Sequence, residues 1–476
     1  MITLLNKLPK DEIQKFERFV NSPYFNTVEN VKKLFNYLKP LYPNISKTDI
    51  TSAKISENVY DKQSPTSEII WKLKSDFSKL LEKFLLQKEL EKNSMGNEVT
   101  LIQSLRHIGA NKEIELLLHK HRKEKNKIFN KESSYYLNKV NLHEEEYFFK
   151  MPDIQFEFPD DLQYKSDNLD YFYIFSKLHT FYDMSIHQYH NKNILKFNKT
   201  FYPELTEYVK INEKIISKDH PNIYIIYLVL MMSRDKDQDS YYFKLVKYLK
   251  LKDKIFSKIQ LCYYYRYLVS YCHIKLNEGF EKYRDEVYEI YKLMFEKDLF
   301  ILDNVITDRE FNNVVNVSLP LLKIQWTELF IEKNKDYLPQ DLSIESYNLA
   351  KAKLFFYNKE YDKVFPHLNL IHYKDPNYYI NAKILLIKVL FETNSIDVLF
   401  STIDSLRKYI SREIKLPELL KVGVKNFIKL VTALSKIKKA NKKEEIRIIK
   451  QSIEDEKNFI SSKSWIVEKI NEIENA

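Results

Sequence analysis

The sequence predicts an all-α protein, an α-solenoid of stacked helix hairpins behind an N-terminal helical unit, and three observations carry that expectation. Only 4 of 476 residues are glycine, at 96, 109, 279 and 423. That is too few for the tight turns of β-hairpins and suits long helix interiors, which exclude glycine. Apolar residues recur at spacings of three and four through most of the chain. In the second half, helical runs come in pairs that begin about thirty to fifty residues apart, the period of stacked hairpins. A lone pair leaves an apolar face bare, so its neighbours must cover it.

Residues 1–94 read as the N-terminal helical unit. "PKDEIQKFERFV" and "VENVKKLFNYLKPLYP" carry a helical period, and a shorter piece lies near 54–62. "SEIIWKLKSDFSKLLEKFLLQKELEK" lays Ile69, Leu73, Phe77, Leu80, Leu81, Phe84 and Leu85 along one stripe. In "NSPYFN", Pro23 ends the first helix, Tyr24 and Phe25 are expected to fold back on the apolar faces, and Asn26 or Thr27 caps the next helix. Residues 95–150 hold further hairpins: "EVTLIQSLRHI", a "GAN" turn whose Gly109 supplies the left-handed residue a helix C-terminus needs, then "KEIELLLHKHRKEKNKI". "MPDIQFEFPDDLQ", 151–163, has two prolines and no helical period, and predicts a linker. From 164 to 476 the array resumes and closes with C-terminal capping helices. Its runs fall near 164–191, 201–218, 222–233, 258–276, 280–297, 308–319, 321–337, 344–357, 360–372, 377–392 and 396–411.

Composition excludes several function classes. Hydrophobic residues at 44% and charged residues at 30% predict a chain folded throughout. Phosphate loops, dinucleotide turns and nucleophile elbows need clustered glycines, and no two glycines here lie within ten residues of each other. The charge, 76 Lys and Arg against 66 Asp and Glu, is +10 and comes overwhelmingly from Lys. Arg is the residue favoured for bidentate phosphate and base contacts, so nucleic-acid recognition is weakly signalled. Cys262 and Cys272 fall in one helical stretch about 15 Å apart along its axis, beyond disulfide reach. They predict buried thiols in a reducing compartment, and without a CxxC pair no zinc or redox motif is expected. The N-terminal "MITLLNKLPKDEIQKF" lacks the apolar core of a signal peptide, and "IYIIYLVLMM" at 223–232 is about half a membrane span. A cytoplasmic protein with no membrane insertion and no cofactor is the expectation.

One stretch makes a family resemblance nameable. "NKEYDKVFPHLNLIHYKDP" resembles the second half of a tetratricopeptide repeat, with Tyr361 at the aromatic position, Val364 at the small one and Pro376 closing it; Ala352 sits at a small position of the preceding helix. The first helix of the pair is about two residues long against the repeat pattern, and Val364 and Ile371 replace the usual alanines, as in a diverged repeat. More widely, "FVNSPYFN", "FYNKEYDKV", "LLIKVLFETNSIDVLFSTIDSLRKYI" and "SKSWIVEKI" resemble a family of large tetratricopeptide-like proteins of Bacteroidetes-type bacteria, over most of the chain. The resemblance implies stacked hairpins in the cytoplasm and brings no catalytic residue.

Four groups of side chains are candidate sites. His179, Asp183, His187 and His190 fall within about 80° on a helical wheel, but their i, i+4, i+8 spacing spreads them over more than about 15 Å. Flanked by Phe172, Phe175, Tyr182 and Ile186, they read as the edge of a packed face, and no metal site is expected. "HEEEY" at 143–147 lacks the second histidine of a zincin. The second group is Tyr263, Arg266, Tyr267 and Tyr271 in "QLCYYYRYLVSYCHIKL", opposite a face of Leu261, Tyr264, Tyr265, Leu268 and Cys272. Tyr and Arg give a peptide anchor large contact area, while an inner helix packed on both sides gives the same composition. The third is Tyr378, Asn381, Leu385 and Lys388 after Pro376, where Asn and Lys can grip a peptide backbone or terminal carboxylate; no matching Asn and Lys set on adjacent helices is legible. The fourth is basic: Lys421, Lys425, Lys429 and Lys436 running into "KIKKANKK", and "HKHRKEKNK" at 119–127. Such lysines track phosphates or simply form a solvated face. The expected role is a non-enzymatic scaffold that binds a protein or peptide partner on the concave face of the array. The alternative is a nucleic-acid-binding regulator that uses the Lys-rich faces.

Overall fold

The computed structural model describes residues 1–60, 65–123, 131–151, 160–190, 196–234, 239–371, 375–413, 416–440, 446–455 and 460–475. Among these residues the regular structure is helical, α with short 3-10 turns, and the one β feature is an isolated bridge between Leu302 and Val305. The chain divides into two compact units, Met1–Ser176 and Lys177–Ala476.

In the first unit, α1 (Ile2–Leu5), α2 (Lys10–Asn21), α3 (Glu29–Leu38), α4 (Ser52–Val59) and α5 (Ser67–Lys92) share one core. Phe16, fully buried, lies edge-on to Phe35 at 5.4 Å and Phe77 at 5.9 Å and tilted against Phe84 at 5.2 Å. The stripe on α5 runs through Ile70, Leu73, Phe77, Leu80, Leu81 and Phe84, whereas Ile69 is 46% exposed and Leu85 sits at the rim. One residue is a step of about 100° on a helix, enough to carry Ile69 off the core face. Phe25 folds back as expected and stacks on Phe19 at 4.1 Å, but Tyr24 stays 87% exposed, touching Phe25 edge-on. Asn26 ties the turn together: its amide donates to the Val20 carbonyl (2.8 Å) and its Oδ1 accepts the Val28 N–H (3.0 Å).

Three more helices follow, α6 (Ser94–His107), α7 (Asn111–Lys123) and α8 (Ser133–Lys150), around Val99, Ile102, Ile114, Leu118 and Leu142. Within 151–163, residues 152–159 lie outside the described residues, and α9 (Asp160–His190) begins at Asp160. The division between the two units falls inside α9.

The second unit continues through α10 (Tyr202–Ile211), α11 (Glu213–Asp219), α12 (Pro221–Arg234) and α13 (Ser240–Lys252). Four helix pairs come next: α14 (Lys258–Asn277) with α15 (Tyr283–Glu296), α16 (Asp308–Ser318) with α17 (Ile324–Asn334), α18 (Ser343–Tyr357) with α19 (Tyr361–Asn369), and α20 (Pro376–Glu392) with α21 (Ile396–Arg412). The chain ends in α22 (Glu418–Ala440), α23 (Ile446–Asp455) and α24 (Lys463–Asn475). Sequential helices pack on each other, and so do alternate ones: α12 on α14, α16 on α18 and α18 on α20. No described helix is long and apolar enough to cross a membrane.

Helices in a glycine-poor chain still need a left-handed residue to turn, and other residue types supply most of them. Asp298, Leu322, Lys359 and Asn394 take φ of 54°, 55°, 61° and 57°, in the role that Gly109 and Gly279 play at 72° and 94°. In each case the next N–H bonds back to a carbonyl of the helix just ended, as Glu360 does to Phe355 and Ser395 to Leu390, both at 2.9 Å. The pairs α18–α19 and α20–α21 therefore turn by the same device. Between them, Asp375 caps α20 by accepting the Asn377 N–H at 2.6 Å, with Pro376 as first helical residue.

Candidate partner-binding site

α14 begins at a capping box in which Ser257 and Gln260 satisfy each other's backbone N–H groups. Of the four residues singled out on this helix, Tyr263 alone is exposed, at 52%. Arg266 donates through Nε and Nη2 to both carboxylate oxygens of Glu310 on α16, at 3.0 and 2.8 Å. Tyr267 is half-buried, edge-on to Tyr182 at 5.1 Å, and burial pushes its hydroxyl up to about 12. Tyr271 is buried, stacks on Tyr242 at 5.2 Å and donates to Asp239 Oδ1 at 3.0 Å. Because α14 packs against α12, α13 and α15, its buried arc is wider than half the helix, and it takes in the side that a wheel assigns to solvent.

On α20, Tyr378 is also buried. Its hydroxyl sits among Ser346 Oγ (2.5 Å), the Asn312 amide (3.1 Å) and Asp308 Oδ2 (3.3 Å), which ties α20 to both α16 and α18; burial pushes it up to about 12. Asn381 is exposed and its amide donates to the Asn377 carbonyl of its own helix at 2.9 Å.

Lys388 is different. It is 9% exposed, its ammonium lies 5.9 Å over the Phe356 ring and 5.5 Å over the Trp465 ring, and among the described residues no hydrogen bond or ion pair reaches it. Burial, and after it the charge of Lys353, push the ammonium down to about 7. Lys353, half-buried on α18, donates to Asn316 Oδ1 on α16 at 2.7 Å, and burial pushes it down to about 8. Asn316, Lys353 and Lys388 thus come from three alternate helices, of which α18 packs on both α16 and α20. Two other buried lysines are compensated: Lys469 by Glu392 (2.8 Å), Glu468 (3.0 Å) and Glu472 (2.8 Å), and Lys351 by Glu328 (3.1 Å) and Glu332 (3.3 Å). Sequence reasoning reaches Lys388 and misses Asn316 and Lys353. Lys353 lies within "LAKAKLFFY", but its apposition to Asn316 depends on the rotation of two helices.

Elsewhere, His143 Nδ1, Glu146 and Asp161 place ligand-type atoms within 4.8 Å of one another, all buried. These residues could hold a metal ion, but the Lys150 ammonium already bridges the two carboxylates at 3.2 and 2.5 Å, so the cluster works as an ion-pair network joining α8 to α9. His179 and Asp183 pair at 3.3 Å on the exposed side of α9, His187 lies on the same helix, and the His190 side chain is outside the described residues. Lys425, Lys429 and Lys436 are exposed on α22 and Lys421 is half-buried, while 441–443 and 124–127 fall outside the described residues. In the other basic stretch, Lys120 and His121 both pair with Glu98, at 2.8 and 2.9 Å.

No protein-family model, curated protein or solved structure matches the chain. What can be said of function rests on the chemistry of these side chains.

Proposed function

We propose that the protein is a non-enzymatic interaction scaffold, a tetratricopeptide-like solenoid whose inner helices α16, α18 and α20 grip a peptide carrying a carboxylate, either an acidic side chain or a C-terminus. One observation carries the reading: Lys353 and Lys388 present two crowded ammonium groups that make no ion pair among the described residues, beside the Asn316 amide, on three helices in succession. A buried cation without a counter-ion is unfavourable, and an incoming carboxylate relieves that cost while the amide orients the chain. The Phe356 and Trp465 rings beside Lys388 give the same place an apolar floor. The two free, buried thiols fit a reducing compartment, and we place the protein in the cytoplasm.

Fluorescence anisotropy with labelled acidic octapeptides ending in a free carboxylate tests the proposal. Lys353→Ala and Lys388→Ala should each weaken binding about tenfold, roughly 1.4 kcal/mol, and a neutral, amidated peptide should bind poorly. Equal binding of the two peptides, or indifference to both substitutions, removes the site. Duplex DNA in the same assay covers the exposed lysines of α22: affinity that falls steeply with salt and survives loss of Lys353 and Lys388 would favour a nucleic-acid partner instead.

A further inference from the structure

A second place in the Lys177–Ala476 unit has the makings of a ligand site, and it shares no residue with the one above. A cavity of about 560 Å³ lies among the second half of α9, the start of α10, the end of α12 and the last turns of α14. That is the size of pocket that encloses a small organic molecule. Ile186, Met232 and Ile274 give it apolar walls, and Lys275 and Lys199 are among the residues that line it.

Lys275 is 3% exposed. Its ammonium lies between the Tyr271 ring at 5.5 Å and the Phe280 ring at 5.2 Å, and among the described residues no hydrogen bond or ion pair reaches it. The C-terminal turn of α14 explains why Phe280 is there: Gly279 at φ 94° lets the Phe280 N–H return to the Lys275 carbonyl at 3.0 Å, which lays the ring on the lysine. It does not explain the charge. The Asp239 carboxylate accepts from Tyr271 (3.0 Å) and from Lys282 (2.9 Å) and makes no ion pair with Lys275. Ring faces attract a cation by about 0.5–2 kcal/mol, and a carboxylate or phosphate brought to the ammonium adds the opposite charge that neither ring supplies. Lys199 donates to Ser185 Oγ at 3.0 Å on the same wall.

We propose that this cavity binds a small amphiphile with an anionic head, carboxylate or phosphate monoester, and an aliphatic body. The head pairs with Lys275 between Tyr271 and Phe280, within reach of Lys199, and the body lies against Ile186, Met232 and Ile274.

Isothermal titration with decanoate, decyl phosphate and decanol tests it on the full chain. At least one anion should bind more than about tenfold tighter than the alcohol, and the better of the two identifies the head group. Lys275→Met keeps the stem and removes the charge; it should abolish the preference for the anion. Met232→Trp fills the cavity and should abolish binding of all three probes while helical circular dichroism is retained. Decanol binding as tightly as both anions, no binding of either anion at about 1 mM, a value far weaker than ordinary ligand sites, or an unchanged preference in Lys275→Met would each overturn the proposal. Should Lys275→Met fail to fold, Lys275→Arg serves instead: a preference retained in Lys275→Arg and lost with the cavity-filling Trp supports the site, and one that persists in Met232→Trp refutes it.

Discussion

Arg266 and Glu310 close a two-bond fork between α14 and α16, at 3.0 and 2.8 Å, with the carboxylate mostly buried. Removing one partner strands the other. Arg266→Ala should lower unfolding free energy by about 1–3 kcal/mol, and Arg266→Lys should recover only part because a single ammonium cannot make both bonds. Urea denaturation checks this; loss of under about 0.5 kcal/mol, the size of an ordinary surface substitution, would mean that the fork holds nothing.

Lys359 occupies left-handed space at φ 61° between α18 and α19. A non-glycine residue there costs about 1 kcal/mol relative to glycine. Lys359→Gly should therefore stabilise the protein slightly, and Lys359→Val should destabilise it by more. Thermal melts of the two variants give the order.

Lys388 makes stability and binding depend on pH in opposite senses. Its folded value, about 7, lies below the ordinary 10.5, so the unfolded chain holds more protons between those limits. Stability contributed by this group is absent below about pH 7, rises with pH across the window and is complete above 10.5. Lys353, held near 8, adds the same sign, while Glu392 and Glu468 oppose it. Lys388→Met should raise stability more at pH 6 than at pH 10, read from urea midpoints. An acidic peptide needs the ammonium, so its affinity should fall from pH 6 to pH 8.5.

Cys262 and Cys272 should resist a thiol reagent in the native protein. Both are buried and free, and burial pushes Cys272 up to about 12 and raises Cys262 as well. Only the thiolate reacts, so labelling should begin only as the chain unfolds. Fast labelling of two thiols at neutral pH in native protein would contradict their placement.

Much of the helical order is legible in the sequence, because Gly109, Pro221 and Pro376 punctuate runs whose period is unambiguous. The runs expected near 258–276, 344–357, 377–392 and 396–411 fall on α14, α18, α20 and α21 to within a few residues. Rotation is harder to read. Adjacent apolar residues such as Ile69 and Ile70 leave the core direction open by one step, and Tyr271 is drawn inward because α14 has neighbours on several sides. The alignment of Asn316, Lys353 and Lys388 is illegible for a deeper reason: it is a property of three helices at once, and no single-helix pattern contains it.

The left-handed turns at Asp298, Leu322, Lys359 and Asn394 bear on how such a chain ages. A bend held by a backbone bond and by flanking packing can carry the modest cost of a side chain unbranched at Cβ at its apex, and acid, aliphatic, base and amide are all found there. Mutation can overwrite the punctuation while the hairpins persist, and a lineage built this way would lose its written signature long before its shape.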